Sequence, residues 1–204
     1  MKNRNIGSQP ATKEPVGLRI IGGRFRGSKL LYTGDNRVRP MKDRVRESVF
    51  NLIGPGIKGT HVIDLFGGTG AAAIEAVSRG AAAATVIEIH LPTAFLLQKN
   101  IESLHLSGIC KLQKTDAFYW VKNRQEHPKD GIPMLVFCCP PYDFYHSRKD
   151  EMLELIGSLY EEAPPESLFV IEADDRFDFA TLPVPAEQRK QRSYPPAEIA
   201  VFSK

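Results

Sequence analysis

Seven residues, Asp64-Leu65-Phe66-Gly67-Gly68-Thr69-Gly70, follow an apolar run that begins at His61 and lead straight into the alanine-rich stretch Ala71–Ser78. Glycines at such a junction make the tight turn and let backbone approach a ligand where a helix starts. A strand, a glycine-rich turn and a helix in that order point to a β–α–β unit, in which a crossover carries the chain to a parallel neighbour. The rest of the chain keeps the rhythm. Strands are predicted at Ala83–Ile89, Cys110–Lys114, Met134–Cys138 and Leu168–Glu172, with a last short one at Glu198–Phe202. Helices are predicted between them at Pro92–His105, Ala117–Arg124 and Arg148–Tyr160. The expected fold is α/β: a doubly wound, Rossmann-like parallel sheet with helices on both faces.

The pattern differs before Thr60. Residues 1–16 are polar, with Pro10 and Pro15, and are expected to be disordered. Leu18–Ile21 and Lys29–Tyr32 read as a hairpin around a Gly/Arg-rich turn. Asp43 is placed to cap a helix that runs to about Ile53, with Val45, Val49, Leu52 and Ile53 on its buried side, and Gly54-Pro55-Gly56 ends it. The expected division is therefore a tail (1–16), a basic hairpin-and-helix extension (17–58) and the α/β domain (59–204).

Charge sets the extension apart. Residues 1–58 hold 13 Lys/Arg against 4 Asp/Glu, a net of +9, while the remainder holds 14 against 20, a net of −6. A basic arm on a mildly acidic body fits a polyanionic partner met at one end of the molecule. Arginines interleaved with glycine and an aromatic, in Gly22-Gly23-Arg24-Phe25-Arg26-Gly27, suit phosphate contact with base stacking. No apolar run approaches the length of a membrane span and Met1–Pro10 is no signal peptide, so a cytoplasmic protein is expected. Cys110, Cys138 and Cys139 have neither zinc nor disulfide spacing, and His90, His105 and His146 have no metal spacing, so no metal is expected. Adjacent Cys138 and Cys139 should point to opposite faces of their strand.

Three acids fall at successive strand ends. Glu88 lies 18 residues beyond Gly70, where a carboxylate can accept from ribose hydroxyls. Asp116 could accept from an adenine amine, with Ala117 offering a backbone amide. Asp64 would lie near the cationic end of a sulfonium ligand. Each acid alone also reads as a helix cap, and Gly68-x-Gly70-x-x-Ala73 alone also fits a dinucleotide fingerprint. A fourth strand end carries Cys139-Pro140-Pro141-Tyr142.

In that order, these features resemble S-adenosylmethionine-dependent amino methyltransferases. Arg19-Ile20-Ile21-Gly22-Gly23-x-x-Arg26-Gly27-x-Lys29-Leu30, then Arg39-Pro40 and Asp43-Arg44-Val45-Arg46-Glu47-Ser48-Val49-Phe50-Asn51, look like the bacterial 16S rRNA guanine-N2 methyltransferase family of RsmD type. The resemblance runs from about residue 17 to the C-terminus. It implies a seven-stranded methyltransferase fold with an antiparallel last strand and an N-terminal hairpin that assists RNA binding. It further implies methyl transfer to the exocyclic N2 of a guanine in 16S rRNA, free or in a small-subunit assembly particle. The implied cofactor is S-adenosylmethionine, held by Asp64, Phe66, Gly67, Gly68, Thr69, Gly70, Glu88, Asp116 and Ala117. The catalytic loop would be Cys139, Pro140, Pro141 and Tyr142. RNA contacts would come from Arg24, Phe25 and Arg26, with Arg37, Arg39, Lys42 and Arg44 as a second cluster.

Five positions depart from that family's pattern. Cys139 stands for the acid of Asp-Pro-Pro-Tyr/Phe, Met41 for a threonine after Arg-Pro, His90 for an acid and Gly68 for an alanine. Tyr194-Pro195-Pro196 stands where Tyr-Gly is expected. A thiol is a weak hydrogen-bond acceptor, so Cys139 predicts a slow enzyme or, as the alternative, a non-catalytic RNA- or ribosome-binding relative. Asp143, four residues on, reads either as a substitute oxygen or as a solvated turn acid.

Overall fold

The computed structural model describes residues 17–32, 34–35, 38–123, 131–185 and 189–204. The expectations for residues 1–16 and for Arg37 lie outside the described residues. Seven strands form one sheet: β1 (His61–Asp64), β2 (Ala83–Ile87), β3 (Cys110–Gln113), β4 (Met134–Cys138), β5 (Leu168–Asp174), β6 (Lys190–Tyr194) and β7 (Ala197–Ser203). Their order is β3-β2-β1-β4-β5-β7-β6. β1 to β5 are parallel, whereas β7 runs antiparallel to β5 and β6 antiparallel to β7. Strand order turns around at β1 and β4, which puts the crevice of an open α/β sheet at their carboxyl ends.

β6 has no counterpart in the sequence reading, which placed no strand between Leu168–Glu172 and Glu198–Phe202. Its residues Lys-Gln-Arg-Ser-Tyr are exposed but for the half-buried tyrosine. A charged edge strand of this kind carries no hydrophobic alternation to detect.

Helices α1 (Asp43–Ile53), α2 (Ala71–Ser78) and α3 (Leu91–Ser103) cover one face of the sheet, sharing a core with Val62, Val86, Leu135 and Val170. Helices α4 (Ala117–Asn123), α5 (Phe144–Ser147) and α6 (Lys149–Glu162) belong to the other face, whose core includes Ile63, Val136 and Ile171. Cys138 lies in the second core and Cys139 packs against the first, as pleating requires. α2 is the innermost helix: every residue but Ala72 is buried. Its alanines let the sheet approach from one side and the N-terminal segment from the other.

The N-terminal hairpin is looser than its sequence suggests. Arg19 and Lys29 form a single antiparallel bridge, supported by Ile20 N to Ser28 O (3.0 Å) and Leu30 N to Leu18 O (2.8 Å). The tip is drawn instead onto the end of α2. Arg24 N donates to Ser78 O (2.9 Å) and Phe25 N to Ser78 Oγ (2.9 Å). Gly23 makes this fit possible: its φ is +76°, and a Cβ there would lie 2.0 Å from the Ser78 carbonyl oxygen.

Asp43 is the first helical residue of α1 and not its cap; Lys42 occupies the cap position without a side-chain bond. The Asp43 carboxylate pairs instead with Arg19 (3.2 Å) and Arg46 (3.0 Å). Arg46, fully buried on the face expected to hold only apolar residues, binds Glu75 of α2 at 3.0 Å and the carbonyls of Arg19 and Met41 at 2.6 and 3.0 Å. Glu75 also accepts from Arg79 (2.6 Å) and from the amide of Ile21 (3.2 Å). One buried ionic knot thus ties the hairpin and α1 to the body.

Candidate active site

The crevice is built from four loops at the carboxyl edge of the sheet. The loop after β1 is held shut by its own backbone: Gly67 N donates to Ile87 O (2.8 Å) and Gly70 N to Gly67 O (2.7 Å). Gly70, at φ +78°, sits so close to α3 that a Cβ would meet Leu97 at 2.2 Å. Thr69 is buried, and its carbonyl accepts from Asn100 Nδ2 (3.2 Å). Asn100 also binds Leu31 of the hairpin, accepting from its amide (2.7 Å) and donating to its carbonyl (3.2 Å). The second half of the hairpin therefore runs to the mouth of this loop, where Val38 comes against Gly68.

Two of the three strand-end acids converge on the glycine loop. Glu88 accepts from Gly68 N (2.8 Å) and from His90 N (2.7 Å), so one carboxylate organises the ends of both β1 and β2. Asp64 is buried, and burial, followed by the charge of Glu88, pushes its carboxyl up to about 7. The amides of Phe66 and Ala73 pull in the opposite direction without cancelling it. Two such acids suit a ligand that carries positive charge and hydroxyls, since a cation beside Asp64 offsets the cost of its ionisation. Asp116 is half-buried and caps α4, accepting from Tyr119 N (2.9 Å). Ala117 is buried at the start of that helix.

Phe66 joins an aromatic cluster that sequence reasoning missed. Its ring meets Phe118 edge-on (6.2 Å) and Phe144 edge-on (6.0 Å), and the Arg148 guanidinium lies 3.7 Å from the Phe118 ring centre. The Asp116 charge is felt by Arg148, so acid, guanidinium and rings border one corner of the crevice. Only a fold that brings β1, α4 and α5 together reveals this grouping.

The Cys-Pro-Pro-Tyr segment leaves β4 beside these loops. Pro140 is buried, Pro141 is exposed, and Cys139 and Tyr142 are half-buried. Burial, then the neighbouring Glu172 and Asp64 charges, holds the Cys139 thiol well above its usual range, so it is neutral at pH 7. Tyr142 Oη donates to Glu172 Oε1 at 2.8 Å. Glu172 lies on β5, and the Cys138–Ile171 register places it beside Cys139 on the same face. The side chain at the end of the loop thus meets a carboxylate from the next strand. That acid was readable only as one polar residue in the apolar run Leu168–Ala173. Asp143 is exposed, and its backbone carbonyl accepts from Ser147 N (2.8 Å) in the turn into α5.

The basic residues fall into two places. Arg24 stacks over Phe25 at 4.5 Å, and both sit at the far end of α2 with exposed Arg26. Since α2 starts at the glycine loop, eight residues put that end about 12 Å away, toward the amino edge of the sheet. Arg39 is on the crevice side: its charge acts on both Glu172 and Tyr142. Lys42 and Arg44 are exposed at the start of α1.

A family model described as Conserved hypothetical protein 95 matches residues 18–203. Ribosomal RNA small subunit methyltransferase D of Escherichia coli (strain K12) is 33% identical over 169 residues, covering 81% of this chain and 79% of the relative. The chain belongs to that methyltransferase D family. A Buchnera aphidicola (subsp. Acyrthosiphon pisum) member is also 33% identical, over 60% of this chain and 62% of its own length, under two thirds of it. The solved structure titled putative methyltransferase yhhF from Escherichia coli superposes with a TM-score of 0.73 at 29% identity, over 92% of this chain and 98% of that one. The Thermus thermophilus 16S rRNA N2 G1207 methyltransferase, solved with AdoMet and guanosine, shares the fold with a TM-score of 0.66 at 18% identity, over 92% of this chain and 49% of its own. The α/β methyltransferase fold is thereby established, with its last strand antiparallel.

Proposed function

We propose that the protein transfers a methyl group from S-adenosylmethionine to the exocyclic N2 of a guanine in small-subunit rRNA. One observation carries this reading: in a member of the methyltransferase D family, a Pro-Pro-Tyr loop and an acid-lined glycine loop meet at the same sheet edge. The residues present fit the cofactor. Asp64 is a buried acid awaiting a cation, Glu88 stands at the end of β2 where ribose hydroxyls would bind, and Phe66 and Asp116 border an aromatic corner suited to adenine. When bound, S-adenosylmethionine supplies an electrophilic methyl on a sulfonium centre. The protein's own work is to hold the amine in line and to favour its pyramidal form by accepting hydrogen bonds from its protons. Tyr142, half-exposed after two prolines, offers a ring on which a flipped or single-stranded guanine can stack. Arg39, whose charge reaches Tyr142, and exposed Lys42 and Arg44 at the start of α1 suit the RNA backbone, and Arg24, Phe25 and Arg26 would extend the surface to a more distant strand of RNA.

The test uses undermethylated small subunits and labelled cofactor, with nucleosides analysed by mass spectrometry. N2-methylguanosine is expected, formed faster by Cys139→Asp than by the native chain. Label at another position would refute the guanine-N2 assignment, and no label from either protein while the subunits still bind would refute transferase function and leave an RNA-binding relative.

A further inference from the structure

A neutral thiol at position 139 leaves the target amine short of an acceptor, and the structure contains a replacement. Resting on the reading above, we propose that Glu172 is a catalytic residue of the acceptor pocket, its carboxylate accepting a hydrogen bond from the exocyclic amine of the guanine. Three observations converge on it. Glu172 is the lateral neighbour of Cys139 across parallel β4 and β5, on the face of the sheet that carries Asp64 and the glycine loop. Its carboxylate accepts from Tyr142 Oη at 2.8 Å, so it already binds the side chain that closes the loop. It is half-buried within β5, one residue past the last pair with β4 and flanked by buried Ile171 and Ala173, with the Arg39 charge acting on it.

A carboxylate offers roughly four lone-pair positions, and the Tyr142 hydroxyl engages one of these. The remaining ones can take an N–H of the incoming base while Tyr142 keeps its bond and its ring stays oriented. The chemistry then balances. The amine lone pair forms the N–C bond as the methyl C–S bond breaks, and the sulfonium becomes a neutral thioether. The nitrogen, cationic at that moment, gives its surplus proton to Glu172, which passes it to water on its exposed side. Burial lifts the Glu172 carboxyl above the usual range while the Tyr142 hydrogen bond draws it back, as suits a group that takes up a proton and releases it.

The experiment is a double-mutant cycle of Glu172→Gln and Cys139→Asp, read as methyl transfer to undermethylated small subunits, with Tyr142→Phe as a further variant. Glu172→Gln is expected to lower kcat about 10²-fold or more, with S-adenosylhomocysteine affinity unchanged. In the Cys139→Asp background the same change should cost less than about tenfold, because position 139 then supplies the acceptor. Tyr142→Phe, which removes the hydroxyl but keeps the ring, should cost less than Glu172→Gln. Near-native kcat in Glu172→Gln, or an equal loss in both backgrounds, would overturn the proposal and reduce Glu172 to a packing residue. Should none of the proteins methylate guanine N2, the functional reading falls separately. Calorimetry with guanosine monophosphate in the presence of S-adenosylhomocysteine then decides Glu172: weaker binding by Glu172→Gln than by the native chain is expected, and equal binding would overturn its role.

Discussion

Asp64 shows how one buried residue sets stability and ligand preference against each other. Its carboxyl is raised to about 7, so between about pH 4 and 7 the folded protein holds a proton that the unfolded chain has released. Unfolding stability therefore falls as pH rises through that window. Asp64→Asn is expected to remove that slope and raise the Tm of the ligand-free protein by a few degrees at pH 8. The same substitution should weaken binding of the cationic cofactor at least tenfold while leaving neutral S-adenosylhomocysteine less affected, measured by calorimetry. The Glu88 charge helps to raise the Asp64 carboxyl, so the midpoint of the pH profile should move down in Glu88→Gln. Residue chemistry of this kind was partly legible in the sequence. Asp64, Glu88 and the Pro-Pro-Tyr loop stand at strand ends, and strand ends are readable. Glu172 and Arg148 were not, because their significance comes from neighbours 30 or more residues away, brought close only by β4–β5 pairing and by α5 packing under Phe66.

At the scale of elements, the buried pair Arg46–Glu75 governs how α1 and the hairpin sit on α2. Removing one member of a buried ion pair strands the other and costs about 3–5 kcal/mol. Arg46→Met is expected to destabilise the protein by that order in urea denaturation, more than Arg46→Met combined with Glu75→Leu, which leaves only the partly exposed Arg79 to be solvated. Gly23→Ala should have a narrower effect. The new Cβ collides with the Ser78 carbonyl, so the hairpin tip must lift from α2 while the seven-stranded sheet stays intact. Amide exchange should speed up at Arg24 and Phe25 and not in β1 or β4. The helix over 43–53 and its apolar stripe follow from sequence periodicity. That one member of the stripe is an arginine does not, since only tertiary partners can satisfy a buried guanidinium.

For the molecule as a whole, the described basic residues of the extension fall in two places: Arg39, with exposed Lys42 and Arg44, on the crevice side, and Arg24 and Arg26 at the far end of α2. RNA that fills the crevice would meet Arg39, Lys42 and Arg44, and only a longer or folded RNA would also reach Arg24 and Arg26. Replacing Arg39, Lys42 and Arg44 together by Ala is expected to weaken binding to small subunits and to reduce the slope of log K against log salt by about 2 to 3. Replacing Arg24 and Arg26 should spare binding of a short oligonucleotide while weakening that of the intact particle. The parallel direction of β1 to β5 and the two helical layers were foreshadowed by strand–helix alternation; the strand order was not, and neither was β6, because its exposed polar residues carry no hydrophobic pattern.

The knot between Arg46, Glu75 and Arg79 has an evolutionary consequence. A recognition arm joined to a catalytic body by a linker can be exchanged, duplicated or lost. Here the body keeps an acid in its own core whose counter-charge is lent by the arm, and the arm's backbone amide at Ile21 closes the arrangement. A chain starting at residue 59 would leave Glu75 with Arg79 alone and an uncovered apolar helix, and should collapse in limited proteolysis. Such a body cannot change its arm piecemeal; the two must be inherited together.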